Sequence, residues 1–148
     1  MTGEVTHSLV KALRSVPDFA GLDDRALLQV VGASMNLAFQ AGSTVFEEGS
    51  PGEALCVVLS GEVRIIERDD GRETEVARVG PGESFGEFSL MLRTVHSKTA
   101  EAVQDTELLM VPFEMFEEVL ATNEELAAGF RARLEARQPI RGQVEESA

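Results

Sequence analysis

Residues 80–102 read GPGESFGEFSLMLRTVHSKTAEA, and how this stretch bends decides how the rest of the chain folds. Gly80-Pro81-Gly82 supplies a tight turn, and Gly86 leaves room beside the backbone where a side chain would block an approaching ligand. Glu87 follows at once, and Phe88, Leu90, Met91 and Leu92 make the next residues apolar, so one or two helical turns are predicted from Glu87 to Leu92. The first amides of such a turn have no partner inside the helix and point outward, which suits a phosphate. On the return, His96, Ser97, Lys98 and Thr99 add cationic and hydroxyl groups. Together these residues sketch a small sugar-phosphate pocket.

Working outward, the flanks change period twice. Before the stretch, Leu37, Phe39 and Val45 alternate with smaller or polar residues, and Gly42, Gly49 and Gly52 divide the run into short strands. Ala54 to Leu59 is almost wholly apolar, as a strand covered on both faces would be. Gly61 interrupts it, Val63, Ile65 and Ile66 continue, and Asp69-Asp70-Gly71 is a hairpin signal before Thr74 to Val79 returns. After the stretch, Thr99 to Val103 and Thr106 to Val111 read as two more strands, with Pro112 closing the sheet region. Strands this short and this regularly spaced predict a mainly β sandwich or jelly-roll barrel over residues 35–112.

Helical spacing brackets the barrel. Leu9, Val10 and Leu13 mark a first helix ended by Pro17, and Asp23 is the N-cap of a second carrying Leu27, Val30 and Val31, which places two helices within residues 6–32. Past Pro112, Phe113, Phe116 and Leu120, then Leu126, Phe130 and Leu134, predict two helices over residues 113–137 with Asn123 between them. Glu114, Glu117, Glu118, Glu124 and Glu125 read as their solvated face. Residues 138–148, with Pro139 and Gly142 and little to bury, are expected to form a loose tail. His7 is expected on the surface of the first helix.

Composition narrows the functional classes. With 148 residues the chain is sized for one domain with its own core. Thirteen basic against 26 acidic residues give a formal charge of −13, a field that repels nucleic acid and anionic membrane unless a local patch overrides it. The single Cys56 has no internal disulfide partner and sits in an apolar run, so it reads as a buried, inert thiol. No apolar run approaches the ~18 to 20 residues of a membrane span and no signal peptide opens the chain, which makes the cytoplasm the expected location. Two histidines far apart in sequence do not supply a metal site of the cupin kind, and no nucleophile and base pair is apparent, so no enzymatic activity is expected.

Phe85-Gly86-Glu87-Phe88-Ser89-Leu90-Met91 resembles the phosphate-binding cassette of cyclic-nucleotide-binding domains, the module of catabolite activator proteins, protein kinase A regulatory subunits and cyclic-nucleotide-gated channels. The likeness extends over about residues 8–137. It includes Pro17-Asp18-Phe19-Ala20-Gly21-Leu22, the run Gln40 to Phe46 with Glu48-Gly49-Ser50-Pro51-Gly52, Ser60-Gly61-Glu62-Val63, and Asp105 through Val111 with Phe113. It implies a jelly roll with two N-terminal and two C-terminal helices, and a ligand site formed by Phe85, Gly86, Glu87, Phe88, Ser89, His96, Ser97, Lys98 and Thr99. In the family the cassette Glu accepts a hydrogen bond from the ribose 2′-hydroxyl, a role that falls on Glu87. Without gaps, the family's phosphate-binding Arg falls on His96 and its following small residue on Lys98.

The substitution leaves two readings open. In one, the chain is a regulatory module that senses cAMP, ahead of cGMP, and relays it by movement of the C-terminal helices. In the other it has lost the nucleotide and serves as a protein interaction or dimerisation unit through those helices. A hydrogen bond to a charged group contributes ~1.5 to 3 kcal/mol, so exchanging Arg for a neutral imidazole should weaken phosphate binding roughly 10- to 150-fold. Protonation below pH ~6.5 would restore part of it. In a strand, Lys98 would share a face with His96 and form a joint anion site with it.

Overall fold

A computed structural model describes the backbone of residues 3–147 and the side chains of residues 8–17 and 19–135; the surface position expected of His7 lies outside these side chains. Helix α1 (Gly3–Arg14) ends before Pro17, which opens a single 3-10 turn (Pro17–Phe19). Helix α2 (Asp24–Ala33) begins at the expected cap: the Asp23 carboxylate accepts from the Ala26 N–H at 2.8 Å, satisfying one amide that the helix cannot.

Eight strands follow among the described residues, broken only by a short helix. They are β1 (Met35–Phe39), β2 (Thr44–Phe46), β3 (Ala54–Ser60), β4 (Val63–Asp69), β5 (Arg72–Val79), β6 (Ser84–Phe85), helix α3 (Glu87–Met91), β7 (Thr99–Ala102) and β8 (Thr106–Pro112). One antiparallel sheet runs β1-β8-β3-β6 and the other β2-β7-β4-β5, the two halves of a jelly roll. The β4–β5 hairpin turns on Asp70 and Gly71, both at positive φ (50° and 79°), the pair of left-handed residues that a two-residue turn between twisted strands requires.

The apolar run Ala54 to Leu59 is indeed covered on both faces. Leu55 and Val57 of β3, with Leu109 and Val111 of β8, face the helices and join Leu13, Leu27, Phe116 and Phe130 in one core. Cys56 and Val58, with Leu108, face inward and meet Val63, Val79, Phe85 and Ala100 inside the barrel. Burial on both sides removes the polar alternation of a half-exposed strand, which is why this stretch reads as continuous.

The C-terminal helices are α4 (Phe113–Thr122) and α5 (Glu124–Ser147), joined at Asn123, whose Nδ2 donates to the Val119 carbonyl at 3.1 Å. Phe130 of α5 lies edge-on to Phe19 and Phe116, with ring centres 6.4 and 5.2 Å away. This brings the N-terminal turn, α4 and α5 together at one point. The backbone stays helical to Ser147, where a loose tail was expected from Gln138. The residues before it, Arg131-Ala132-Arg133-Leu134-Glu135, are good helix formers, and a helix already nucleated extends at little cost. Among the described residues no helix is long and apolar enough to cross a membrane.

Candidate functional site

Helix α3 sits at the elbow between β6 and β7. Gly86 precedes it at φ 89°, a conformation that only glycine adopts without strain, and an added Cβ there would come within 3.4 Å of the Ala54 carbonyl. That kink turns the first residue of α3 toward the barrel, so Glu87 is only 6% exposed. Its charge reaches Cys56 on the inner face of β3. Burial first, and the Glu87 carboxylate second, push the Cys56 thiol up to about 12.

Ser89, two residues on, is the hub of the site. Its hydroxyl lies 3.1 Å from the Gly86 carbonyl oxygen and 2.9 Å from Nδ1 of His96. A hydroxyl has one proton, so Ser89 donates either to the Gly86 carbonyl or to Nδ1, and that choice goes with the tautomer of the ring. His96 is 6% exposed and stacks flat on Phe46, with ring centres 3.6 Å apart and planes 5° from parallel; Phe46 in turn packs on Phe85 at 5.8 Å. Burial lowers the His96 pKa below its ordinary value, and the nearby Glu53 carboxylate opposes this only in part. The ring therefore does not gain a proton near pH 6.5, contrary to the expectation from an exposed histidine.

The position of His96 is set by the loop after β2. Gly49 N–H donates to the His96 carbonyl and His96 N–H to the Ser50 carbonyl, each at 2.8 Å, while Val95 bridges to Pro51. Gly52 lies against α3 so closely that a Cβ there would be 2.7 Å from both Cβ and Oγ of Ser89. Local sequence period has no means of showing this contact, because the glycines of the loop read only as turn residues. Phe46, which read as a strand residue, is the platform for His96.

Of the remaining expected site residues, Phe85 is buried in the barrel core and Phe88 is half-buried on α3. Ser97 is exposed. Thr99 is buried, and its Oγ1 accepts from Glu48 N–H at 3.1 Å and from the Arg68 guanidinium at 3.4 Å, so it ties strands together. Lys98 is half-buried and lies in a bend, as Ser97 does, so the shared strand face expected for His96 and Lys98 does not exist. The His96 backbone bonds instead to Gly49 and Ser50 in the loop after β2.

Helix α3 and the turn that follows it also face the C-terminal helices. Arg93 pairs with Glu117 of α4 at 2.5 Å and lies over the Phe113 ring at 5.5 Å. Between them is a cavity of about 240 Å³ lined by Leu90, Met91, Phe116, Leu120 and Arg131, among others. The elbow is thus linked to α4 by a salt bridge across partly unfilled space.

These features agree with the comparisons. The family model described as "Cyclic nucleotide-binding domain" matches residues 36–123. The cyclic AMP receptor protein of Thermus thermophilus is 37% identical over 98 residues, covering 66% of this chain and 45% of that protein. Among solved structures, the regulatory domain of Toxoplasma gondii PKA with cAMP superposes with a TM-score of 0.74 at 29% identity, over 80% of this chain and 46% of that one. The sensor domain of the transcriptional regulator DNR from Pseudomonas aeruginosa does so with a TM-score of 0.84 at 25% identity, over 95% of both. The chain spans less than half the length of the curated relatives it matches. With eight strands in the two sheets of a jelly roll, a glycine elbow followed by a buried glutamate, and a family match over more than half its length, the chain belongs to the cyclic nucleotide-binding domain family.

Proposed function

We propose that this chain is a regulatory module without catalytic chemistry of its own, which seats the ribose of a cyclic-nucleotide-type ligand on Gly86 and Glu87 and reports its presence through α4 and α5. The observation that carries this reading is the Gly86 elbow, whose left-handed backbone sets the Glu87 carboxylate, 6% exposed, at the start of α3. A carboxylate is acceptor-only, and an acceptor at this elbow matches the hydroxyls of a ribose. The names of a 37%-identical cyclic AMP receptor protein and of a PKA domain crystallised with cAMP support cAMP as the first probe, ahead of cGMP.

The relay follows from the contacts of α3. A ligand pressing on the elbow displaces α3, and α4 feels this through Arg93, Glu117 and the cavity beside them. Binding that prefers one position of the C-terminal helices shifts an equilibrium already present, and a partner reads the result.

The second reading, an interaction module that no longer takes nucleotide, is favoured by one observation: a buried neutral imidazole rather than a guanidinium is bonded to Ser89. Thermal unfolding with millimolar cAMP or cGMP separates the two. A ligand at tenfold its Kd stabilises by about 1.4 kcal/mol, which raises Tm by roughly 3–6 °C for a domain of this size. The proposed function predicts such a shift in the wild type and its loss in Glu87→Ala. If neither the wild type nor His96→Arg shifts with either nucleotide, the interaction reading stands instead.

A further inference from the structure

We infer that the cavity between α3, α4 and α5 is a second binding site, which takes a small carboxylate with an apolar body, of the medium-chain or arylalkyl kind. Three helices supply its walls. Leu90 and Met91 of α3, Phe113, Phe116 and Leu120 of α4, and Ala127 of α5 surround a volume of about 240 Å³. Leu90, Phe116 and Ala127 are no more than 2% exposed, whereas Met91, Phe113 and Leu120 are half-buried, so the space runs from the core toward the surface. Neither Glu87 nor His96 lines it. The site is therefore distinct from the elbow and does not rest on the ribose seat.

Residue size explains why the space exists. The buried stripe of α5 carries Leu126, Ala127 and Phe130, and its smallest member is the one that lines the cavity. Protein cores are close-packed, because wall atoms without neighbours forfeit dispersion contacts. A larger side chain at position 127 would restore those contacts; alanine leaves room for something else to make them. A cavity of about 150 Å³ lined by apolar residues takes benzene, so one of about 240 Å³ suits a ring with a short chain or an alkyl chain of roughly eight carbons.

The charged members of the lining select the head group. Arg93 and Arg131 both line the cavity and both are exposed. A guanidinium has five N–H donors. Among the described residues Arg93 uses one of them on Glu117 and Arg131 one on Glu124, each at 2.5 Å. Exposed pairs of this kind hold weakly in water, so an incoming carboxylate can compete for either guanidinium and take its planar fork through two oxygens. Arg93 also lies 5.5 Å over the Phe113 ring, which keeps its charge at the cavity wall. The chain as a whole carries a formal charge of −13, but here two cations face one acidic lining residue, Glu117. The local balance therefore favours an anion, and an apolar body without one would leave both guanidiniums unused.

The test is isothermal titration calorimetry of the full chain at pH 7.5 with octanoate and 3-phenylpropionate, against 1-octanol, octylammonium and acetate. At least one of the two carboxylates should bind with a Kd below about 1 mM. 1-Octanol and octylammonium should bind at least fivefold more weakly than that carboxylate, and acetate, which has no body to bury, should give no measurable heat. Ala127→Phe closes the cavity and should weaken carboxylate binding at least tenfold. The double variant Arg93→Gln with Arg131→Gln, changed only at exposed positions, should lower the affinity of the carboxylate to that of 1-octanol. Circular dichroism checks the folding of both variants, and if Ala127→Phe does not fold the arginine variant decides alone. Undiminished binding in a folded variant of either kind overturns the site. 1-Octanol binding as tightly as octanoate overturns the carboxylate head, and a wild type that binds neither carboxylate at about 5 mM overturns the inference outright. None of these results touches the ribose seat, because Glu87 lies outside the cavity.

Discussion

Substituting Gly52 by Ala tests whether the loop after β2 holds the elbow in place. The new Cβ would lie 2.7 Å from both Cβ and Oγ of Ser89 and 3.1 Å from the Ser89 carbonyl carbon. Ordinary contact begins at 3.4 Å, so α3 or the loop must move by about 0.7 Å. Overfilling a packed site costs about 1–3 kcal/mol. The movement also stretches the 2.9 Å contact between Ser89 and His96, adding a share of a hydrogen bond worth about 1 kcal/mol. We expect a loss near 2–3 kcal/mol, or about 4–12 °C in Tm for a domain of this size. Gly49→Ala is the control, because its φ of 90° strains an alanine while nothing lies within 4 Å of the added carbon; it should cost only about 1–2 kcal/mol. Ser89→Gly removes the clashing atoms, so Gly52→Ala in that background should be milder by at least 1 kcal/mol. Urea unfolding of the four proteins in the Gly52 and Ser89 cycle measures that coupling. Coupling within 0.3 kcal/mol of zero, or a Gly52→Ala protein as stable as the wild type, would refute the placement of Gly52 against α3.

Two further outcomes follow from the titrating groups. With its thiol pushed up to about 12, Cys56 should hold roughly one part in 10⁴ of thiolate at pH 8 against about a quarter for a free cysteine, so a thiol reagent should label it only as fast as the chain opens; rapid labelling of native protein would contradict its place inside the barrel. For His96 the folded pKa lies below the unfolded one, so the unfolded chain binds the extra proton: the neutral ring's contribution to stability is intact above pH ~6.5 and is lost as pH falls from there toward the folded value. The Tm advantage of wild type over His96→Asn should therefore shrink between pH 7.5 and pH 5, and parallel curves for the two proteins would remove the buried imidazole as its source.

Most of the fold was legible because its signals are local. Asp23 caps a helix by a contact three residues away, Asp70 and Gly71 set a hairpin with their own backbone angles, and the unbroken run from Ala54 to Leu59 reports a strand covered twice. Half of the candidate site was local in the same sense: Gly86, Glu87 and Ser89 lie on one elbow, and their types state what the elbow needs. The other half was not. His96 and Lys98 look equivalent as two basic residues on a return strand, and what separates them lies some 45 residues earlier, in the carbonyl of Ser50, the amide of Gly49 and the ring of Phe46. Those contacts bury one side chain and leave the other half-buried in a bend.

The same non-local packing decides what a change at position 96 means. An exposed histidine in place of an arginine would be a weaker cation that acid strengthens. A histidine stacked on Phe46 and hydrogen-bonded to Ser89 is instead a fixed ring whose burial opposes its protonation, and acid acts against it by way of the unfolded chain. The substitution therefore removes the permanent cation of an arginine, and mild acid does not restore one. For this reason the sign of the pH dependence of stability at His96, and the response of cAMP binding to pH, test one geometry by independent routes. An imidazole that gains its proton near pH 6.5 and binds cAMP more tightly on doing so would return the site to an ordinary phosphate seat.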